Sequence, residues 1–236
     1  MMQDKEKARV AFFDFACCEG CQLEVARLGE DLLPLLRHVD IVSWRELSSR
    51  REEDYDVAFC EGSITTREDM DRVREIRDRA KILVALGSCA CIPCHNSLKN
   101  QWPMAEVLDT VYGREGWRFD TIPAQPVAGV VCVDYEIRGC PVTGREFLKV
   151  CKAILTDQPY APPEEPVCVE CRLSDNLCVE KFDLCLGPVT RAGCGAACPR
   201  LGTACNGCRG AVPGAKLAPY KRKVWFMPRE GALLLL

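Results

Sequence analysis

The sequence lacks several features that would each indicate a familiar class of protein. Its longest apolar runs are far shorter than the roughly 18 residues that a membrane-spanning helix needs. It contains neither a GxGxxG motif nor a P-loop, so no motif predicts a nucleotide-binding loop. Its formal net charge is only −3, with acidic and basic residues interleaved, which excludes a broadly basic surface for nucleic acid. The function must therefore depend on particular side chains.

The N-terminal residues also lack the pattern of an export signal. The stretch MMQDKEKARVAFF carries charges of both signs and no sustained apolar segment before the first strand-like run. We therefore expect a cytoplasmic protein without a membrane span. Thiols stay reduced in that compartment, so a cysteine-rich pattern predicts metal or redox chemistry there and not disulfides.

Cysteine is the residue that the chain has in excess. The 236 residues include 18 cysteines but only 2 histidines, and eight of the cysteines lie between Cys168 and Cys208. A proline-rich stretch without helical or strand periodicity precedes that group. We predict a first domain over residues 1–156, a linker over 157–167, a small cysteine-rich domain over 168–210 and a tail over 211–236.

Strand-like and helical segments alternate in the first domain. Thr65 with Glu68, and Thr143 with Glu146, have the spacing of capping boxes at the starts of two predicted helices. The alternation predicts an α/β fold with a doubly wound parallel sheet that resembles flavodoxin. The predicted strands cover residues 9–15, 39–44, 55–60, 81–86 and 129–135, and the predicted helices cover 22–37, 66–80 and 141–155.

Four cysteines follow the ends of predicted strands. Cys18 and Cys21 form a CxxC pair after the first strand, Cys89 follows the fourth, and Cys140 follows the fifth. The carboxyl ends of parallel strands form one crevice, so these thiols can meet although they are distant in sequence. Together with neighbouring glycines, these cysteines suit a four-thiolate cluster. The alternative is that some of them are buried structural thiols, because free cysteine is among the most buried residue types. A redox dithiol would explain the CxxC pair but neither of the other two cysteines.

The second domain carries eight thiols in a regular arrangement. Their spacing is CxxC-x6-C-x6-C followed by C-x3-CP-x6-CxxC, enough for two four-iron clusters in a ferredoxin-like domain. Metal binding would supply much of the folding energy, because the segment has little apolar content. Two zinc sites of four cysteines each are the alternative. The eight are Cys168, Cys171, Cys178, Cys185, Cys194, Cys198, Cys205 and Cys208.

These motifs carry a family resemblance. In their order along the chain, CCEGCQ, EGSI, GSCA and GCP resemble the small subunit of [NiFe] hydrogenases and the related 20 kDa subunit of respiratory complex I. The cysteine-rich half, above all CLGPVTRAGCGA, is similar to the delta subunit of cytosolic sulfhydrogenases and NADP-reducing hydrogenases. The resemblance implies a proximal [4Fe-4S] cluster on Cys18, Cys21, Cys89 and Cys140.

The resemblance also implies partners and a role. Three [4Fe-4S] clusters would pass electrons between the nickel–iron site of a large subunit and a downstream redox subunit, such as one that binds flavin and NADP. A complex-I-like or ferredoxin-linked module is an alternative within the resemblance, and a zinc-stabilised scaffold is an alternative of another class. Glu61, at the end of the third strand, is a candidate interface acid, although a solvated loop carboxylate would fit the sequence equally well.

Six cysteines remain after twelve are assigned as ligands. Cys132 lies in a predicted strand and Cys151 in a predicted helix, so both are predicted to be core residues. Cys17 stands where many members of the family have glutamate, which leaves its role open. The roles of Cys60, Cys91 and Cys94, near the predicted cluster, are open as well.

Overall fold

The structure is a computed structural model that describes residues 7–178 and 184–220. Its main sheet has five strands in the order β2-β1-β3-β5-β7, and every neighbouring pair is parallel. Counting only these strands along the chain, the order is 2-1-3-4-5, which confirms the flavodoxin-like prediction. The strands are β1 (Ala8–Asp14), β2 (Val39–Ser43), β3 (Val57–Glu61), β4 (Ile64–Thr66), β5 (Ile82–Leu86), β6 (Thr121–Gln125) and β7 (Tyr135–Ile137).

Helices cover the sheet and connect its strands. No helix in the described ranges is both long and apolar enough to cross a membrane. Short 3-10 turns supplement the α-helices. The α-helices are α1 (Gly20–Ala26), α2 (Leu33–Leu36), α3 (Arg67–Arg79), α4 (Ser88–Cys91), α5 (Met104–Tyr112), α6 (Gly144–Leu155), α7 (Val167–Leu173) and α8 (Ala197–Arg200).

Two apolar clusters bury the two faces of the sheet. On one face Phe12 stacks on Trp44 and on Phe59, with ring centroids 4.2 and 4.9 Å apart, and Phe147 of α6 packs beside them. The other face is filled by smaller residues, including Ala58 and others from β1, β3, β5 and α3. Burial on both faces explains why these strands are continuous apolar runs.

The predicted fifth strand was wrong in its position. The strand begins only at Tyr135, and Val127–Gly129 forms a 3-10 turn. The Asp134 carboxylate accepts the backbone N–H of Leu83 at 2.7 Å, so a side chain takes the place of a backbone partner before the ladder starts. Cys132 is therefore outside the strand and exposed, contrary to the core position predicted for it. Cys151 is buried in α6, as predicted.

Local geometry also changed the predicted helices. The helix predicted over 22–37 is divided at Gly29, whose φ of 53° is left-handed, and α2 begins again with Pro34 in its first turn. The first capping box is formed by Thr66 and Asp69, one residue later than predicted. Thr143 caps α6 by accepting the N–H of Glu146, as predicted.

The described part of the cysteine-rich segment, residues 168–178 and 184–208, forms only small apolar clusters with its immediate neighbours. One includes Leu186, Val189 and Leu217, and the other consists largely of Val167 with alanines and cysteines. The backbone forms short helices and isolated bridges, with the N–H of Val167 donating to Thr190 at 2.8 Å. The low apolar content predicted for this segment is therefore observed in its described residues.

Candidate functional site

The cysteine loops lie at one edge of the main sheet, where β1, β3, β5 and β7 end. Cys21 is in α1, which follows β1, and Cys89 is in α4, which directly follows β5. Cys140 lies in the loop between β7 and α6. The parallel sheet thus brings three distant parts of the chain to one edge, as the positions of the strands predict.

Hydrogen bonds hold these loops together. The backbone N–H groups of Gly87 and Ser88 donate to Ile137 at 2.7 Å and to Gly139 at 2.8 Å, which joins the Cys89 loop to the Cys140 loop. The Ser63 hydroxyl donates to the carbonyl of Cys89 at 2.8 Å, and Asn96 donates to Ala16 at 2.6 Å. Sequence reasoning had missed Ser63 and Asn96, although small polar residues after strand ends were the available signal.

The four thiols share one environment. Burial raises the pKa of Cys89 to about 12, and the negative charges of Cys140, Cys18 and Glu61 raise it further. Burial also raises the pKa of Cys21, whose sulfur accepts the backbone N–H of Val142. Cys21 is buried, whereas Cys18 and Cys140 are exposed. The group is therefore closed toward the sheet and open on its outer side.

Two glycines leave room beside the sulfurs. Gly87 has a φ of 86°, and a Cβ at this position would overlap the sulfur of Cys21. A Cβ on Gly20 would lie 3.3 Å from the sulfur of Cys18. Glycine at these positions therefore lets the backbone approach the thiols closely. A cluster with inorganic sulfide needs such space between the backbone and its ligands.

The donor set fits an iron–sulfur cluster. A [4Fe-4S] cluster takes one thiolate on each of four irons, so its ligands need not converge on a single point. Over residues 7–178 and 184–220, no three histidine, cysteine or acidic side chains are placed to hold a single metal ion. Four thiolates from three separate segments, beside glycines, are the donors that such a cluster requires.

Cys94 is an additional thiol that contacts the group. Its S–H donates to the sulfur of Cys140, which lowers the pKa of Cys140 to about 6 and raises that of Cys94. Burial raises the pKa of Cys17 to about 12, with Glu61 adding to the rise. By contrast, Cys91 and Cys60 are fully enclosed in the apolar cluster behind the loops, as core thiols would be.

Glu61 lies beneath the group. Its side chain is 2% exposed, and its two oxygens accept the backbone N–H groups of Cys21 and Gln22 at 3.0 and 3.1 Å. Burial raises the pKa of Glu61, and these two N–H groups oppose the rise. The carboxylate thus anchors the start of α1, which carries Cys21. Its contact with a partner subunit stays a prediction.

The cysteine-rich segment assembles a second group of thiols. A Cβ on Gly187 would lie 3.4 Å from the sulfurs of both Cys168 and Cys185 and 3.8 Å from the Cβ of Cys205. The backbone N–H of Cys205 donates to the sulfur of Cys185 at 3.3 Å. Burial raises the pKa of Cys205 to about 11, and the charges of Cys185 and Cys194 contribute. Distant parts of this segment therefore meet around Gly187.

The remaining predicted ligands lie at the margins of this group. Burial raises the pKa of Cys198, and the charge of Cys194 raises it further. The sulfur of Cys171 lies 3.7 Å from the amide nitrogen of Asn176. Cys178 is exposed and adjoins residues 179–183, which fall outside the described ranges.

Cys208 connects the two groups of thiols. Burial raises the pKa of Cys208 to about 12, and the backbone N–H of Cys140 opposes the rise. The Cys208 carbonyl accepts the hydroxyl of Ser88, the residue before Cys89. Cys208 of the second group is therefore in direct contact with Ser88, beside Cys89 of the first group.

Comparison with known proteins identifies a family for the chain. Residues 18–154 match the family model described as NADH ubiquinone oxidoreductase, 20 Kd subunit. The chain is 35% identical over 206 residues to the sulfhydrogenase 2 subunit delta of Pyrococcus furiosus, covering 86% of each chain. It is 31% identical over 234 residues to a subunit of the F420-non-reducing hydrogenase vhu of Methanocaldococcus jannaschii, covering 86% of this chain and 81% of the relative.

Solved structures show the same fold. A chain of an NAD+-reducing [NiFe]-hydrogenase in its H2-reduced state superposes with a TM-score of 0.59 at 25% identity, over 66% of this chain and 96% of that one. A chain of the [NiFeSe]-hydrogenase of Desulfomicrobium baculatum gives a TM-score of 0.60 at 14% identity, over 92% and 99% of the two chains. The second likeness supports the fold alone.

Proposed function

Because the chain belongs to the family of [NiFe] hydrogenase small subunits and the 20 kDa subunit of NADH:ubiquinone oxidoreductase, we propose that it relays electrons through three [4Fe-4S] clusters. The observation that carries the proposal is the position of the segments with Cys18, Cys21, Cys89 and Cys140, which directly follow β1, β5 and β7 at the carboxyl edge of the sheet. Iron–sulfur clusters supply one-electron transfer, with potentials set by ligands, hydrogen bonds and burial.

The residues of the first domain hold and tune the proximal site. Cys18, Cys21, Cys89 and Cys140 provide the thiolates, and Glu61 fixes the start of α1 below them. The N–H of Val142 donates to the sulfur of Cys21, which favours its thiolate form. The apolar cluster behind the loops, with Cys60 and other buried residues, excludes water from the inner side.

The eight cysteines of residues 168–208 provide two further sites in a second domain. The contact between Ser88 and Cys208 supports a direct route between the two domains, because it joins the residue before Cys89 to a proposed ligand of the second group. Hydrogenase relatives cover this half of the chain as well, which favours a hydrogenase role over a module of the complex-I type.

The large subunit of a [NiFe] hydrogenase is the proposed partner. The cysteines assigned as ligands in this chain are all proposed to bind iron–sulfur clusters, so the hydrogen-splitting site would belong to another chain. The exposed side of the first thiol group, at Cys18 and Cys140, is the proposed contact. A downstream redox subunit, of the kind that binds flavin and NADP, would accept electrons from the second domain.

Metal analysis tests the cofactor content. Protein purified without air should be brown and contain about twelve iron and twelve acid-labile sulfide per chain, the sum of three cubane clusters. Inductively coupled plasma measurements and a sulfide assay give both numbers. Zinc in place of iron would support the scaffold alternative, and about four iron would eliminate the two clusters of the second domain.

A charge on α1 tests the contact with the large subunit. Leu23 is 48% exposed and lies two residues after Cys21, so Leu23→Asp should raise the dissociation constant for the large subunit at least about tenfold. Leu33→Asp is the matched control, because Leu33 is 55% exposed on α2, outside the cysteine loops. Co-purification and titration measure the effect. Equal binding by both variants would place the contact elsewhere.

A further inference from the structure

Arg209 is a charged residue buried between the two groups of thiols. It follows Cys208 in the sequence, and its side chain is 1% exposed. Its Nη1 and Nη2 donate to the two carboxylate oxygens of Glu146 at 2.7 and 2.8 Å, a bidentate pair between residues 63 positions apart. Tyr160 also donates to Glu146, at 2.5 Å, so the carboxylate is held from both sides.

The same guanidinium reaches two further segments. Its Nε donates to the carbonyl of Ala192 at 2.6 Å, and Nη1 donates to the carbonyl of Arg138. Ala192 lies two residues before Cys194, and Arg138 lies two residues before Cys140. One side chain therefore contacts the backbone beside predicted ligands in both domains.

The surroundings of Arg209 are shaped to it. A Cβ at Gly193, whose φ is 117°, would overlap the guanidinium. Arg138 donates back to the carbonyl of Arg209 at 3.4 Å, and a Cβ at Gly210 would overlap the Arg138 side chain. Only a planar fork of donors satisfies a carboxylate and two carbonyls together, so lysine could keep the charge but not all the contacts.

We propose that Arg209 is a positioning residue that docks the second domain on the first, fixes the spacing of their two nearest iron–sulfur sites, and raises the reduction potential there through its buried positive charge. The inference rests on the proposed electron-relay function. Electron-transfer rates fall steeply with distance, so a docking contact beside both sets of ligands controls the rate between them. A buried cation stabilises the more negative, reduced form of a neighbouring cluster.

Three variants of the complete chain, prepared without air, test the proposal. Arg209→Met removes both the positive charge and the guanidinium N–H donors. Arg209→Lys keeps the charge but not the planar arrangement of donors. The double variant Arg209→Met with Glu146→Gln avoids leaving a buried carboxylate unpaired. Arg200→Met is the control, because Arg200 is an exposed arginine of the same segment.

Hydrogen exchange measures docking independently of the metal. In Arg209→Met and in the double variant, the amides of residues 138–147 and 186–212 should exchange at least about tenfold faster than in the native chain, while those of β1 and β3 stay unchanged. Arg200→Met should exchange like the native chain. Native exchange in the Arg209 variants would overturn the docking role, whether or not the chain binds iron.

Electron paramagnetic resonance during a redox titration measures the effect on the clusters. Arg209→Met, which leaves the Glu146 carboxylate without its cation, should show a lower reduction potential for one cluster. Both Arg209→Met and the double variant should show a weaker magnetic interaction between reduced clusters. Arg209→Lys should recover the potential but not the interaction. If exchange rises while potential and interaction remain native, Arg209 is only structural and the proposal fails. If the native protein holds no iron, the proposed function fails, and hydrogen exchange still decides the docking.

Discussion

Alanine in place of Cys21 should lower hydrogen-dependent dye reduction by the assembled enzyme at least about a hundredfold, because a ligand of the first cluster is lost. Cys21 is the buried member of the group, so no solvent-exposed ligand can readily replace it. The iron content should fall by about four per chain. Anaerobic activity assays and iron determination measure both effects.

Cys132→Ala is the matched control for this experiment. Cys132 is an exposed thiol outside the main sheet and outside the cysteine loops, so its loss should leave iron content and activity close to native. Native activity in Cys21→Ala would remove Cys21 from the ligand set. Equal losses in both variants would mean that cysteine substitution acts through stability or assembly and not through a cluster.

Removal of iron by an anaerobic chelator should unfold the cysteine-rich segment while the first domain stays folded. The described part of the segment is held by small apolar clusters around Leu186 and Val167, so we expect metal binding to supply much of its folding energy. Residues from β1 to α6 form two large apolar clusters, one on each face of the sheet, so we expect this part of the chain to stay folded without metal.

Limited proteolysis with mass spectrometry measures this difference. Cleavage should appear within residues 167–217 of the iron-free protein and leave a resistant fragment that spans β1 to α6. Reconstitution with iron and sulfide should restore protection, which controls for irreversible damage by the chelator. If the iron-free segment resists the protease as the native one does, its fold is independent of metal. The prediction that the iron–sulfur clusters stabilise this segment would then be wrong.

Much of the fold and of the candidate site could be predicted from the sequence. Short apolar runs alternating with helical patterns identified four of the five strands of the main sheet, because parallel strands covered on both faces have few polar residues. Since the loops after such strands share one edge, the neighbourhood of Cys21, Cys89 and Cys140 could be inferred without a structure.

Other features depend on local competition that periodicity does not capture. The last strand begins late because the Asp134 side chain takes the N–H of Leu83. The first predicted helix is divided because Gly29 adopts a left-handed φ. Asp134 and Gly29 both have strong local conformational preferences. A prediction from the spacing of apolar residues does not take these preferences into account.

The sequence alone determined the supply and spacing of the thiols, the parallel sheet at whose edge they lie, and the cap that Thr143 provides to α6. The tertiary structure decided which partners those groups meet. Glu146 has the spacing of a capping box, but its carboxylate binds Arg209, and Cys94 contacts Cys140. Spacing along the chain reports on neighbours within a turn or a strand. Contacts between residues far apart in sequence form only when packed elements enclose them and exclude water. The buried ion pair of Glu146 and Arg209 therefore could not be predicted from either segment alone.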